Sequence, residues 1–156
     1  MKAAVVVASN RAAAGVYADE TGPLIVEALR ADGWAVGAAV VVPDGEAVGT
    51  AIREAVEAGA RAVLTTGGTG LTPTDLTPEA TRPLLDREVP GIAEAIRAYG
   101  VSQGVPTAAL SRGLAGVVGE ALVVNLPGSR GGVRDGLAVV MPLLRHAVEQ
   151  VRGSDH

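Results

Sequence analysis

The chain has 156 residues, no cysteine and a formal net charge of −4. The lack of cysteine excludes disulfides, thiol catalysis and cysteine metal sites, and the acidic balance with scattered basic residues argues against a nucleic-acid partner. The amino-terminal apolar run is too short for a signal peptide or a membrane span. We therefore expect a cytoplasmic protein with no membrane partner, folded as a single domain over residues 1–152 with a tail over residues 153–156.

The first half of the chain alternates apolar runs with amphipathic segments. Lys2–Ala8 is an unbroken run of alanine and valine after the lysine, which is typical of a central parallel strand buried on both faces. The predicted strands are residues 2–8, 34–42 and 62–64 with the two threonines that follow, and the predicted helices are about residues 23–33 and 46–58. The segment between the first strand and the first helix is expected to be a loop. This alternation predicts βαβ units and a mostly parallel sheet with right-handed crossovers.

Two further helices are predicted after the third strand. Thr77 supplies a hydroxyl N-cap and Pro78 stands in the first turn, which predicts a helix from Pro78 to about Asp86. The next helix is expected to end near Tyr99. Residues 100–104 are then a turn or loop.

The last third of the chain predicts an antiparallel edge and a closing helix. Residues 114–118 and 121–126 are two apolar runs joined at Gly119-Glu120, a connection that fits a hairpin. The far edge of the sheet is therefore expected to be antiparallel. In the final helix, Pro142 is expected to start a separate segment that ends at Val151.

Polar loops follow the carboxyl ends of the predicted parallel strands, where open α/β sheets bind their ligands. The four loops are Ser9-Asn10-Arg11, Pro43-Asp44-Gly45, the segment from Gly67 to Asp75, and Asn125-Leu126-Pro127-Gly128-Ser129. Turns at the opposite end of the sheet contain plainer residues. This asymmetry predicts that the site lies at the carboxyl edge.

The loop with Gly67, Gly68 and Gly70 predicts an anion site. Glycines allow a positive φ and let the main chain approach an anion, and successive N–H groups then form a nest. Lys2 is the only lysine in the sequence, so a Walker-type phosphate lysine is excluded. The alternative is a tight strand-to-helix turn with no ligand.

Acids and hydroxyls near this loop extend the prediction. Asp44 and Asp75 beside a polyphosphate could hold Mg²⁺, which prefers oxygen ligands; alternatively Asp44 starts a turn and Asp75 is a loop acid near a cap. The loop that ends at Ser129 could contact an anion or a heterocycle, or be only a turn. The pair Ser111-Arg112 could hold an acidic ligand, or Arg112 could be a solvated surface charge.

Taken together, the motifs resemble those of the molybdenum cofactor biosynthesis proteins of the MogA/MoaB type, which are similar to the G domain of gephyrin and its plant counterpart. They occur in the family order over nearly the whole chain. The matching pieces are Ser9-Asn10-Arg11 with Gly15-Val16-Tyr17, Pro43-Asp44, Thr65-Thr66-Gly67-Gly68-Thr69-Gly70, Asp75 with Thr77-Pro78-Glu79-Ala80-Thr81, Asp86-Arg87-Glu88 with Pro90-Gly91, Ser111-Arg112, and Asn125-Leu126-Pro127-Gly128-Ser129.

This resemblance implies a three-layer αβα sandwich with the molybdopterin-binding fold, and a Mg²⁺-dependent adenylyltransferase that uses ATP and molybdopterin as substrates. It implies that Asp44 and Asp75 are the catalytic, Mg²⁺-binding aspartates. The implied ligand-binding residues are Ser9, Asn10, Gly67, Gly68, Thr69, Gly70, Glu79, Ser111, Asn125, Pro127, Gly128 and Ser129. It also implies a homotrimer or hexamer, and a downstream molybdate-insertion protein as a possible partner.

One position departs from the family pattern, because residue 10 is asparagine where many relatives have aspartate. A charge or a metal role at this position is therefore in doubt, although the amide can still form hydrogen bonds. Two other functions stay open. One is a paralogue that binds molybdopterin or a nucleotide as a carrier or assembly partner without turnover. The other is an unrelated sugar- or nucleotide-phosphate enzyme with the same loop logic.

Overall fold

The computed structural model describes residues 1–154, and this part of the chain forms a seven-stranded sheet with helices on both faces. The strands are β1 (Lys2–Ala8), β2 (Ala35–Val36), β3 (Val40–Val42), β4 (Ala62–Thr66), β5 (Arg87–Glu88), β6 (Ala115–Val118) and β7 (Ala121–Leu126). The helices are α1 (Asn10–Ala13), α2 (Thr21–Ala31), α3 (Glu46–Glu57), α4 (Thr77–Thr81), α5 (Pro90–Ser102) and α6 (Arg130–Val151), with 3₁₀ turns at Arg82–Leu84 and Pro106–Leu110.

The sheet is mostly parallel with an antiparallel edge, as predicted. The strand order is β2-β1-β4-β7-β6-β5, and β3 pairs with β1 beyond the end of β2. Strands β2, β3 and β4 are parallel to β1, and β7 is parallel to β4. The hairpin of β6 and β7 is antiparallel, and so is the pairing of β5 with β6. The chain runs from β1 to β2 and β3 on one side of it, and then returns across β1 to β4 on the other side. The connections that follow neighbouring strands therefore diverge between β1 and β4.

Two apolar layers cover the sheet, which gives the expected αβα sandwich. On one face, α2, α5 and α6 pack against alternate residues of the strands, among them Val5, Leu64 and Val124. On the other face, α3 and α4 pack against the intervening residues, among them Val6 and Val63. Because the central strands are buried on both faces, their sequences are continuous apolar runs.

Several element boundaries differ from the predictions. The strand expected over residues 34–42 is broken into β2 and β3, which pair with opposite ends of β1. The loop expected over residues 9–18 contains the short helix α1, capped by Ser9. The helix expected to end near Asp86 is α4 followed by a 3₁₀ turn, and α5 continues past Tyr99 to Ser102.

Two predictions about local helix signals were wrong. Pro142 does not start a new segment, because α6 is one helix over Arg130–Val151 with the proline inside it. Thr77 is not the N-cap of α4, which begins at Thr77 itself with Leu76 in the cap position. In the predicted tail, the N–H groups of Gly153 and Ser154 donate back to α6, whereas residues 155–156 lie outside the described residues. Within residues 1–154, no helix is long and apolar enough to cross a bilayer.

Candidate functional site

The polar loops meet at one edge of the sheet, as the parallel topology requires. The carboxyl ends of β1, β3, β4 and β7 lead directly into Ser9, Pro43, Gly67 and Pro127. Because β6 runs antiparallel to β7, the segment that precedes it also reaches this edge, with Ser111 at its start. We call the segment Gly67–Gly70 the glycine loop.

In the glycine loop, the carbonyl oxygens bond to the protein, and within residues 1–154 three of the four N–H groups remain available. The Thr77 hydroxyl donates to the Gly67 carbonyl at 2.9 Å, and the Thr77 amide donates to the Gly68 carbonyl at 3.0 Å. The Arg112 amide donates to the Thr69 carbonyl at 2.8 Å, and the Arg112 Nε donates to the Gly70 carbonyl at 2.8 Å. The Gly67 N–H completes the pairing of β4 with β7 at Thr66 and Leu126, since Pro127 has no N–H to do so. The N–H groups of Gly68, Thr69 and Gly70 donate to no acceptor within residues 1–154, so they can bind an anion.

Two glycines make this loop conformation possible. Gly67 and Gly68 have φ values of +89° and +67°, which favour glycine. A Cβ atom on Gly67 would lie 2.3 Å from the Ala8 carbonyl oxygen. The main chain at Gly67 also packs closely on the next loop, since a Cβ on Gly128 would lie 3.1 Å from the Gly67 Cα. The loops after β4 and β7 are therefore in direct contact.

Asp44 lies beside the glycine loop and is held by main-chain groups. Its Oδ1 accepts from the amides of Gly45 at 2.8 Å and Leu76 at 3.0 Å, and its Oδ2 lies 2.4 Å from the position of a Cβ on Gly68. Burial raises the pKa of Asp44 above its ordinary value, the two amides oppose this rise, and the charge of Asp75 adds to it.

Asn10 supports Asp44 through the main chain. Its Oδ1 accepts from the Asp44 amide at 2.9 Å, which joins the first loop to the loop after β3. An aspartate oxygen could accept the same bond. The asparagine therefore preserves the positioning contact while it removes a negative charge from the neighbourhood of Asp44.

Asp75 approaches the same loop from the other side. Its Oδ2 accepts from the Thr72 amide at 3.0 Å and lies 2.8 Å from the position of a Cβ on Gly70. The structure thus brings the two predicted aspartates to neighbouring glycines. No group of three or more potential metal-ligating side chains occurs among residues 1–154. Two carboxylates nevertheless fit Mg²⁺, which is often held by one or two carboxylates together with substrate phosphates.

Arg112 is bonded to several groups of the protein, so it is not simply a solvated surface charge, whereas contact with an acidic ligand stays a prediction. Besides Gly70, its guanidinium donates to the Asp75 carbonyl at 2.7 Å and pairs with the Glu79 carboxylate. The Arg112 guanidinium lowers the pKa of the Glu79 carboxyl below its usual range. Arg112 therefore ties the glycine loop to the segment with Asp75. The sequence carries no signal for these contacts, because the bonded residues are more than thirty positions apart.

The loop after β7 is fixed by hydroxyl groups. Thr66 Oγ1 donates to the Pro127 carbonyl at 2.7 Å. The Ser129 Oγ accepts from the Gly132 amide at 3.0 Å and caps α6, which leaves its own proton free for a ligand oxygen.

Three predicted ligand-binding residues have other surroundings. Asn125 is 2% exposed, and its amide bonds to the Leu114 N–H, Thr65 and Thr81, so it lies in the core beneath the loops. The Ser9 hydroxyl caps α1 and lies 2.9 Å from the Tyr17 hydroxyl. The Ser111 Oγ accepts from the Gly113 amide at 3.3 Å, and Ser111 lines a cavity described next.

Two cavities flank the contact between Gly67 and Gly128. The first, of about 360 Å³, lies between the glycine loop, α5, the turn Pro106–Leu110 and the start of α6. The second, of about 480 Å³, lies on the other side against Ser9, Tyr17 and Arg130. Gly128 lines both. The carboxyl edge therefore offers two adjoining compartments on either side of the contact between Gly67 and Gly128, a layout that suits two substrates.

Residues 4–146 match the model of the probable molybdopterin binding domain family. The chain is 41% identical, over 99% of its length, to a molybdenum cofactor biosynthesis bifunctional protein of Synechococcus elongatus, but it spans only 48% of that protein. It is 36% identical to a molybdopterin adenylyltransferase of Pyrococcus furiosus, with 97% of this chain and 91% of the relative covered.

A solved structure, that of the molybdopterin biosynthesis Mog protein of Mycobacterium ulcerans, superposes with a TM-score of 0.91 at 51% identity and covers 96% of this chain and 98% of that one. The matched family and these relatives confirm the resemblance drawn from the motifs. The chain belongs to the molybdopterin-binding domain family of molybdenum cofactor biosynthesis.

Proposed function

We propose that this protein is a molybdopterin adenylyltransferase, which transfers AMP from ATP to the terminal phosphate of molybdopterin and releases pyrophosphate. The observation that carries the proposal is the glycine loop, whose four carbonyl oxygens are bonded to the protein while the N–H groups of Gly68, Thr69 and Gly70 donate to no acceptor within residues 1–154, beside Asp44 and Asp75. Relatives that this chain matches over most of their length are named molybdopterin adenylyltransferases.

The reaction needs two anionic groups to be held against each other. A phosphate oxygen of molybdopterin forms a bond to the α-phosphorus of ATP, and the bond from that phosphorus to the oxygen bridging to the β-phosphate breaks. The electron pair leaves with pyrophosphate. No protein nucleophile is required, so catalysis rests on positioning and on stabilisation of the charge on the phosphoryl oxygens.

The described residues supply both requirements. N–H groups of the glycine loop would bind phosphoryl oxygens, and their geometry is preset by Thr77 and Arg112. Ser129 would donate its hydroxyl from the neighbouring loop. Asp44 and Asp75 would hold Mg²⁺, which offsets negative charge on the phosphates when it is bound.

A second candidate is a protein that binds molybdopterin without turnover. It would use the same loop and cavities but would not need both aspartates. The presence of Asp44 and Asp75 at neighbouring glycines favours the enzyme. Assembly as a trimer or hexamer and delivery to a molybdate-insertion protein remain predictions.

The two functions are separated by the variant Asp75→Asn. Its amide oxygen can still accept from the Thr72 N–H, so we expect the fold and molybdopterin binding to persist while AMP transfer falls by about 100-fold or more. The assay follows adenylylated molybdopterin and pyrophosphate with purified protein, ATP and Mg²⁺.

Asp86→Asn is the matched control, because Asp86 is also a loop acid that accepts one main-chain N–H, from Gly119 at 2.7 Å, but lies at the opposite edge of the sheet. It should retain wild-type transfer. If the wild-type protein binds molybdopterin but forms no adenylylated product, the carrier function replaces the enzyme. An Asp75→Asn rate equal to the control would refute the role given to Asp75.

A further inference from the structure

The buried polar side chains of the protein are concentrated around the glycine loop. Within residues 1–154 these side chains belong to Thr65, Thr66, Thr69, Thr77, Thr81 and Asn125. All six residues lie in the glycine loop or in the adjoining elements β4, β7 and α4, whereas the two core clusters are apolar. Because a buried polar group costs free energy unless it is bonded, this concentration indicates a role at the loop rather than in the fold as a whole.

Asn125 is the branch point of these polar side chains. Its Oδ1 accepts from the Leu114 amide at 3.0 Å, and its Nδ2 donates to Thr65 Oγ1 at 2.9 Å and to Thr81 Oγ1 at 3.2 Å. Since the Leu114 N–H can only donate, the carbonyl oxygen of the Asn125 amide faces it and the NH₂ group faces the two hydroxyls. The amide is therefore bonded at both ends.

One arm of hydrogen bonds runs from Asn125 to the start of the glycine loop. The Thr81 hydroxyl accepts from Asn125, so its own proton is free to donate to the Thr77 carbonyl at 2.8 Å. Thr77 in turn donates to the Gly67 carbonyl through its hydroxyl and to the Gly68 carbonyl through its amide. Asn125 therefore sets the direction of the Thr81 bond that holds Thr77 in place.

A second arm reaches the end of the glycine loop through the segment before β6. Asn125 binds the Leu114 amide, and two residues earlier Arg112 donates to the last two carbonyls of the loop. The chain between them packs on Asn125, because a Cβ atom on Gly113 would lie 3.1 Å from the main-chain oxygen of Asn125 and 3.3 Å from its Cβ. All four loop carbonyls are thus bonded by two residues, and each belongs to a segment that is bonded to the Asn125 side chain.

We propose that Asn125 is a positioning residue for phosphate binding, which holds these two segments and so fixes the N–H groups of Gly68, Thr69 and Gly70 in one arrangement. Asn125 is 2% exposed, so it acts without touching the ligand. Donors that are already ordered need no reorganisation when an anion binds, which favours binding. The inference deepens the proposed function and rests on it for the choice of a phosphate ligand.

The test compares the two threonines that share the Asn125 amide. Thr65 and Thr81 are both fully buried and both accept from Asn125 Nδ2, but within residues 1–154 only Thr81 connects this amide to Thr77. Thr65→Val and Thr81→Val each replace a hydroxyl by a methyl group and leave one hydrogen of the Asn125 amide without its acceptor. Their thermal unfolding midpoints should therefore fall by similar amounts.

Binding of pyrophosphate in the presence of Mg²⁺ is measured on the full chain from the NMR signals of the loop amides. Loss of one hydrogen bond in the arm predicts about 10-fold weaker binding in Thr81→Val. Thr65→Val should bind as wild type does, and Thr81→Ser, which keeps the hydroxyl, should restore binding. Asn125→Ala removes both arms and should weaken binding at least as much as Thr81→Val does.

Equal losses of pyrophosphate binding in the two valine variants would show that the amide acts only through general stability, and would overturn the proposal. Wild-type binding in Thr81→Val, or in folded Asn125→Ala, would also overturn it. If the loop amides of the wild-type protein do not respond to pyrophosphate, the loop is not the phosphate site and the inference fails. AMP transfer is assayed separately, so a wild-type protein that transfers no AMP but shows the expected order of binding would remove the adenylyltransferase and leave the positioning role of Asn125.

Discussion

The substitution Gly68→Ala perturbs the glycine loop at the point where the most contacts converge. Gly68 has a φ of +67°, and a Cβ atom on it would lie 2.3 Å from Thr77 Oγ1 and 2.4 Å from Asp44 Oδ2. Neither neighbour moves freely, since the Thr77 hydroxyl is bonded to the Gly67 carbonyl and the Asp44 carboxylate to two amides. One methyl group therefore strains the backbone and displaces both side chains.

The expected loss of unfolding free energy in Gly68→Ala has two parts, one from the backbone conformation and one from packing. A left-handed conformation costs an alanine about 1–2 kcal/mol, and forcing a methyl group into filled space costs about 1–3 kcal/mol more. Gly119→Ala is the matched control, because Gly119 has a φ of +58° but its nearest neighbour would be Val56 Cγ1 at 3.9 Å. Gly119→Ala should show only the first part. The difference in unfolding free energy between the two variants then measures the packing at Gly68.

The effect on activity should be larger than the effect on stability. The Asp44 carboxylate must retreat by about 1 Å to restore an ordinary contact with the new methyl group, and a misplacement of this size can reduce a rate about 100-fold. Urea titration gives the stabilities, and AMP transfer under saturating ATP gives kcat. If Gly68→Ala transfers AMP within about three-fold of Gly119→Ala, the position of Asp44 does not limit the reaction and the reasoning fails.

Three further changes test individual parts of the structure. Because burial raises the pKa of Asp44, its charge costs stability above the ordinary carboxyl range. Asp44→Asn should abolish transfer, because it removes the proposed carboxylate, yet its melting temperature at pH 7 should be no lower than that of wild type. Any gain in stability over wild type should vanish at acid pH, where the wild-type carboxyl is protonated in both the folded and the unfolded state. A clearly lower melting temperature of the variant at pH 7 would contradict this. In Arg112→Lys, the ammonium group cannot reproduce the guanidinium contacts with Gly70, Asp75 and Glu79. Urea titration should therefore show a loss of about 1–3 kcal/mol in unfolding free energy, and kinetics should show a raised KM for ATP. An unchanged unfolding free energy would contradict the positioning role of Arg112. Pro142→Ala restores a main-chain donor inside α6 and should raise the unfolding free energy by up to about 3 kcal/mol without altering transfer, whereas a loss would indicate that the proline ring packs favourably.

The sheet could be predicted from the sequence because its central strands are buried on both faces. β1, β4 and β7 are continuous runs of small and branched apolar residues, and all of β4 and β7 is buried. The same burial removes the alternation that would reveal which residue faces which layer. Asn125 illustrates this missing information. Its position in the apolar run of β7 does not show whether its side chain bonds to core residues such as Thr65, as the structure has it, or faces the ligand loops.

Local rules failed where packing outweighs them. A proline usually interrupts a helix, but Val140 and Leu144 on either side of Pro142 are fully buried in the layer that covers the sheet. The free energy gained by burying these two side chains outweighs the cost of the proline, so the helix continues past it without a break. The Thr77 hydroxyl donates to the Gly67 carbonyl, ten residues earlier, and does not accept from an N–H group of its own helix as an N-cap hydroxyl would. Sequence spacing does not reveal either contact.

The charges at the site explain why the proposed transfer should depend on a divalent cation. Arg112 neutralises Glu79, but Asp44 and Asp75 have no such partner within residues 1–154, and the charge of Asp75 raises the pKa of Asp44. Neutral N–H groups of the glycine loop must therefore bind a polyphosphate next to two carboxylates that repel it. ATP brings more phosphate charge to the loop, so its affinity should fall further than that of molybdopterin when magnesium is withdrawn.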